Sequence, residues 1–151
     1  MDHPYRGLMA SSTPPASHAH LLEQPLIAHL GTVRPDGSPQ VSEMWFDWDG
    51  QVARFTHTTK RQKFKNFEHE PRVAFSIADP DDPYTFLEVR GAVESIEPDP
   101  NADFYVSLQR AYGLQIGRGD ADVRVVITIR PTGFVGVTGG QTEAEQAASK
   151  H

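Results

Sequence analysis

Apolar and polar residues alternate with a period of two over most of the chain from Leu26 to Val137, and two stretches shift to helical spacing. Ala28–Arg34 (AHLGTVR) runs into Pro35-Asp36-Gly37-Ser38, a strong turn signal. Pro39–Trp48 then sets Val41, Glu43, Trp45 and Asp47 against Ser42, Met44, Phe46 and Trp48, so both faces carry aromatic rings. Asp49-Gly50 makes a second tight turn into Gln51–His57, and the three segments read as an antiparallel meander. Arg72–Ala78, Tyr84–Glu97 with a bend or bulge at Gly91, Val123–Arg130 and Gly133–Val137 extend the sheet.

Between the third and fourth strands, Thr58 or Thr59 is placed to cap a short helix that ends before Pro71, with Phe64 and Phe67 as its buried stripe. A second helix is expected over Asp99–Tyr112, where Phe104, Leu108, Ala111 and Tyr112 recur at helical spacing behind a cap at Asp99 or Asn101. Six or seven antiparallel strands, two short helices and no strand–helix–strand rhythm predict a mainly β fold, a closed or split β-barrel.

The polar ends set the expected boundaries. Residues 1–19 are rich in Ser, Pro, Ala and His without a period, and predict a disordered arm whose removal leaves folding intact. The barrel is expected over 20–138, and 139–151 reads as a flexible tail. His3, His18 and His20 have no spacing that fixes a metal, and no zinc motif, P-loop or Rossmann fingerprint appears. Asp79-Pro80-Asp81-Asp82-Pro83 reads as a solvated acidic turn rather than a calcium loop, and Arg118-Gly119-Asp120 carries no weight as an adhesion motif.

Length and charge narrow the chemistry. A chain of 151 residues holds one domain with a real core, and a net charge of -6 argues against general affinity for nucleic acid or an anionic membrane. Zero cysteines exclude disulfides and thiol catalysis, and agree with a reducing compartment. No apolar run is long enough to span a bilayer and no secretory leader is visible, so the cytoplasm is the expected location.

Against that acidic background Lys60, Arg61, Lys63 and Lys65 crowd the start of the first helix. Cations there oppose the helix dipole unless an anion is expected. On charge alone a solvated basic face is the plainer reading; with free amides and flanking threonines the same stretch suits a small phosphate.

Four stretches in order, HLGTVRPDGSPQVSEMWF, TKRQKFKNFEHEPRVAFSI, YTFLEVRGAVESIE and VRVVITIRPTGFVG, resemble the pyridoxamine 5′-phosphate oxidase-like superfamily. The closer resemblance is to its actinobacterial split-barrel oxidoreductases that use coenzyme F420. The likeness covers roughly Leu26 to Val137. It implies a split β-barrel homodimer with the cofactor at the interface and a hydride passed from the reduced deazaflavin to a small acceptor such as an enone or quinone. Arg61-Gln62-Lys63-Phe64-Lys65-Asn66-Phe67 resembles the segment that holds the cofactor's phosphate and reaches toward its acidic tail.

By that resemblance Arg61, Lys63, Lys65, Asn66 and Lys60 become candidate cofactor ligands, and Thr56 and Thr58 candidates beside the ring or ribityl chain. Trp45 and Phe46 become candidate walls of the substrate pocket, with ordinary core packing the competing account of both. Glu43, where relatives often carry a neutral amide, would alter the ring pocket or exclude an acidic substrate. Tyr84 and His57 are candidate proton donors, with solvent the alternative. An FMN-binding oxidase or reductase on the same fold, a non-enzymatic F420-binding protein, and a domain with no redox cofactor remain open beside the reductase.

Overall fold

A computed structural model of the chain describes residues 9–139, and its order of elements follows the alternation closely. The strands are β1 (Met9–Ser11), β2 (Ala28–Val33), β3 (Pro39–Met44), β4 (Phe46–Trp48), β5 (Ala53–Thr58), β6 (Arg72–Asp79), β7 (Asp82–Pro98) and β8 (Arg124–Val137). Helix α1 spans Gln62–His69 and α2 spans Asp103–Ala111.

Seven strands follow one another in the order β3-β2-β6-β7-β8-β5-β4, every pairing antiparallel, and β1 adds to β8. The two ends of that path, β3 and β4, are halves of one bent strand, parted only by Trp45. The sheet therefore curls until its ends meet at Trp45, and the result is a split β-barrel. The Tyr112 hydroxyl manages the break: it accepts from the Phe46 amide at 3.1 Å and donates to the Leu26 carbonyl at 2.6 Å. Backbone groups freed by the bend thus keep partners.

The inward face is what the period-two pattern selects. Leu30, Phe55, Phe75, Ile77, Leu87, Val89, Ile127 and Ile129 are almost fully buried and form one core. Phe46, Phe55 and Phe75 meet ring to ring at 5.3–6.0 Å, and burying each such side chain stabilises the fold by about 1.5–3 kcal/mol. Phe46 lies on the same face as Met44 and belongs to this core, 3 % exposed, and it is absent from the lining of the cavity that Trp45 borders.

The turns form where they were expected. Asp36 accepts from the Ser38 amide and hydroxyl at 2.9 and 2.6 Å, with Gly37 at φ 88°. Asp49 accepts from the Gln51 and Val52 amides at 2.8 Å, with Gly50 at φ 98°. The register of β7 against β8 shifts between Arg90 and Gly91, as the expected bulge requires. A Cβ at Gly91 would lie 2.5 Å from the Arg130 carbonyl oxygen, so the strands approach too closely there for any side chain.

Three expectations change. The two expected strands Val123–Arg130 and Gly133–Val137 merge into one, β8, because β7 pairs on both sides of Thr132, Gly91 with Pro131 and Arg90 with Gly133. Neither threonine caps α1: Thr58 pairs with Arg124 inside the sheet, the Thr59 amide donates to the Val123 carbonyl, and Arg61 stands at the N-cap without a side-chain bond. Asp99 does serve α2, accepting from the Phe104 and Tyr105 amides, but a single 3-10 turn precedes the helix and moves its start to Asp103.

Residues 9–19, expected within a disordered arm, pack on the barrel. β5 covers β8 only from Arg124 to Ile129, and β1 pairs with the exposed remainder at Phe134–Gly136. His18 is 1 % exposed; its Nε2 donates to the Val137 carbonyl at 3.0 Å, and Nδ1 lies 2.7 Å from the Ser17 hydroxyl. Leu21 and Leu22 follow directly into the core. Residues 1–8, with His3, and 140–151, most of the expected tail, lie outside the described residues. No helix among the described residues is long and apolar enough to cross a membrane.

Candidate functional site

One cavity of about 330 Å³ opens where the end of β5, the start of α1, the start of β8 and the seam at Trp45 converge. The last turn of β5 contributes Thr56, His57 and Thr58, and the approach to α1 contributes Arg61 and Lys63. Glu43, Met44 and Trp45 come from the bent strand, Ile27 from the segment before β2, and Arg124 from β8. The strand carries three adjacent lining residues because it ends there, where inward and outward faces both border the opening.

The polar groups of this cavity are left incomplete by the protein. His57 Nε2, Thr58 Oγ1 and Arg124 Nε are buried without a hydrogen-bond partner among the described residues, and all three residues line it. An unpartnered buried donor or acceptor costs on the order of 1–3 kcal/mol, so three in one place mark a site shaped for something else to satisfy. Arg61, Lys63 and Arg124 add positive charge, and no salt bridge joins any of them to a carboxylate among the described residues.

The titrating groups record that surplus. Burial pushes the His57 imidazole down to about 3, with Lys63, Arg61 and Arg124 adding to the effect, so the ring is neutral at physiological pH. Burial and the neighbouring Arg61 also lower Lys63 from its ordinary value. An anion entering the cavity would relieve both.

Helix α1 reinforces the preference. It begins with no capping side chain and no acidic residue in its first turn, so its first amides lack the usual partner. The residues that follow hold it in place: Phe67 is in the core, and Asn66 is fully buried.

Of the residues expected to bind cofactor, Thr56, Thr58, Arg61 and Lys63 meet in the cavity, and Glu43, Trp45 and His57 border it. Asn66 does not line it. Its amide nitrogen donates to Thr32 at 2.9 Å and to Gln40 at 3.0 Å, while its oxygen accepts from Gln62 at 3.0 Å, which ties α1 to the first two strands of the meander. Lys60 turns away to Asp120 at 3.0 Å. Lys65 is exposed and outside the lining. Tyr84, 62 % exposed beside the β6–β7 hairpin, is also outside it.

Arg124 was not singled out by its sequence context, a β-branched strand in which a lone Arg looks like a solvent-facing residue. Its pairing with Thr58 across the sheet brings it in. The aromatic layer behind the cavity was equally hidden. Trp45 stacks on Tyr112 with ring centres 5.2 Å apart and on Tyr105 at 6.4 Å, so α2, more than fifty positions downstream, packs against the seam. The helical spacing of Tyr112 was visible; its target was not. The ends of Arg118-Gly119-Asp120 are engaged within the chain, Arg118 with Asp103 at 2.7 Å and Asp120 with Lys60.

Comparison with known proteins agrees with this architecture. A solved structure named F420 Reductase is 55% identical, with a TM-score of 0.77, over 80% of this chain and 97% of that one. A conserved hypothetical protein from Mycobacterium tuberculosis is 25% identical with a TM-score of 0.62, covering 79% of this chain and 81% of that one. The General Stress Protein 26 of Bacillus anthracis str. Sterne shares the fold at 21% identity and a TM-score of 0.63, over 79% and 89% of the two chains. No curated protein matches the chain. The pattern of the pyridoxamine 5′-phosphate oxidase family matches residues 15–137, nearly the whole barrel, and the chain belongs to that family.

Proposed function

We propose that this chain binds coenzyme F420 and acts as an F420-dependent reductase of small organic acceptors. The observation that carries the reading is the cavity itself: among the described residues Arg61 and Lys63 have no carboxylate partner, and His57 Nε2 and Thr58 Oγ1 beside them have no hydrogen-bond partner. That donor set suits the phosphate of a flavin-like cofactor. The 55%-identical relative named F420 Reductase favours the deazaflavin over FMN.

When bound, the reduced cofactor supplies the hydride, for an activated double bond such as that of an enone or quinone. The chain's own residues bind and orient. Arg61 offers a planar fork and Lys63 a point charge to the phosphate. Thr56 and Thr58 present hydroxyls, and His57 presents a neutral ring, at the end of β5. Ile27, Met44 and Trp45 form the apolar side that excludes water, and Glu43 at the mouth disfavours an acidic acceptor. With its pKa at about 3, His57 carries no dissociable imidazolium proton near neutrality, and Tyr84 is outside the lining. That pKa belongs to the cavity without an anion, and we take solvent, the alternative to these two donors, as the source of the proton that follows the hydride.

At about 330 Å³ the cavity sits at the small end of ligand pockets, below what a deazaflavin with its tail needs. A homodimer, with a second copy closing the site, supplies the rest. Sedimentation at micromolar concentration should show a dimer; a monomer with full cofactor affinity would refute that part.

Titration with F420 and with FMN, followed by fluorescence and ring absorbance, tests the reading. Affinity for F420 should exceed that for FMN by about tenfold or more. Reduced F420 should then be oxidised in the presence of an enone or quinone. Tighter FMN binding would assign the chain to flavin chemistry, and F420 binding without turnover would make it a carrier.

A further inference from the structure

Arg124 is the least expected member of the cavity and the most firmly placed. Its Nη1 donates to the Thr56 hydroxyl at 3.4 Å and its Nη2 to the Gly119 carbonyl at 3.3 Å, both long bonds. The guanidinium carbon lies 3.7 Å from the centre of the Tyr105 ring. Nε, another of its five N–H donors, is buried and has no partner among the described residues. Asp120 feels the charge of Arg124, but its carboxylate is bonded to Lys60.

Tyr105 is itself fixed. Its amide donates to the Asp99 carboxylate at 3.0 Å, and its ring stacks on Trp45 with an interplanar angle of 25°. The guanidinium thus lies against a ring that is itself stacked on the seam of the barrel. A flat cation on a ring is held in plane, which aims its edge while leaving its charge intact.

We infer that Arg124, seated on Tyr105, is a third oxyanion-binding group of this cavity, and that the aromatic seat sets its strength by fixing where the Nε edge points. The inference rests on the proposed cofactor reading and adds to it. Arg61 and Lys63 already balance a phosphate; a third cation calls for a further anionic oxygen. Phosphate and carboxylate present the same chemistry to Nε, and a ligand bearing both fits three cations better than one bearing a single charge.

Calorimetric titration of wild type, Arg124→Ala, Arg124→Lys, Tyr105→Phe and Tyr105→Leu with F420 and with FMN decides it, with apo melting recorded for each. Arg124→Ala should weaken binding by about tenfold to a hundredfold, and Arg124→Lys should recover only part of the loss. Tyr105→Phe keeps the ring and should stay within about twofold of wild type, whereas Tyr105→Leu should lose about tenfold. Loss with both ligands assigns Nε to the phosphate they share, and loss with F420 alone assigns it to a tail carboxylate. Wild-type affinity for both ligands in Arg124→Ala overturns the inference. Equal affinities for Tyr105→Phe and Tyr105→Leu overturn the role of the seat; should Tyr105→Leu melt below the assay temperature, Tyr105→Met takes its place. If wild type binds FMN but not F420, the proposed cofactor fails while the FMN series still tests Arg124.

Discussion

The side-chain amide of Asn66 donates to the hydroxyl of Thr32 at 2.9 Å, and that bond turns a residue of the basic segment into a structural one. Both partners are buried, Asn66 completely and Thr32 to within 2 %. Asn66→Ala should therefore lower stability by about 1–3 kcal/mol, since Thr32 loses its buried donor. In a chain of this size that is a fall of about 2–4 °C in melting temperature per kcal/mol. Cofactor affinity measured well below the melting range should stay near wild type. A large loss of affinity with unchanged melting would return Asn66 to the binding site.

Arg61→Ala and Lys63→Ala should behave in the opposite way. Each should weaken cofactor binding by about tenfold to a hundredfold, the worth of a charge-assisted bond. Apo melting should hold or rise, because each change removes repulsion between neighbouring cations, Lys63 being lowered by its burial and then by Arg61. Added salt should weaken wild-type binding. Calorimetry at low and high salt, paired with thermal melting, reads all three effects.

His57 makes stability depend on acid. Its folded pKa, about 3, is below the unfolded 6.5, so between those values the unfolded chain binds a proton that the folded chain refuses. Stability is unaffected above about pH 6.5 and falls as the pH drops toward 3, by at most about tenfold in the folding constant per pH unit. His57→Gln should flatten that slope between about pH 4 and 6.5 in denaturant titrations. Asp49, held at about 2 by the Val52 and Gln51 amides and by Arg54, adds its own loss only below its ordinary value of 3.8. A wild-type profile identical to that of His57→Gln would show that the ring takes its proton freely in the fold.

Removing residues 1–19 should destabilise the barrel, the reverse of what the composition of that stretch implies. The deletion uncovers the edge of β8 at Phe134–Gly136 and leaves the Val137 carbonyl without the His18 donor. His18→Ala alone should cost about 1–3 kcal/mol. Gly136→Ala should mimic it, because a Cβ there would sit 2.8 Å from His18 Nδ1. Differential scanning of the three variants against wild type checks the effect.

Much of this was legible along the chain. Period two sorted the second strand into two faces, but with aromatics on both it did not say that Met44, Phe46 and Trp48 would turn inward; Asp36-Gly37 and Asp49-Gly50 declared the turns, because that signal acts between near neighbours. Arg61 and Lys63 were legible for the same reason, as a charge cluster beside a helix start. Asn66 lay inside that cluster, and only the arrival of β2 shows that its amide is spent on Thr32. Arg124 and Tyr105 were hidden because their roles come from strand pairing and helix docking over long separations. His18 was hidden by its setting: a Ser/Pro-rich stretch gives no period, yet one buried imidazole and three paired residues suffice to seat it.

The position of β8 has a consequence for the order in which the molecule is made. It is the last strand among the described residues, and β1, β5 and β7 all pair with it. During synthesis those three strands emerge with open edges and remain so until Arg124–Val137 has left the ribosome. The barrel cannot then close strand by strand; its seam, its cavity and its N-terminal cover must wait for one segment. Non-local pairing of this kind makes refolding slow and leaves β5 and β7 open to other chains meanwhile. Truncations that stop short of β8 should collect as aggregates rather than as smaller folded barrels.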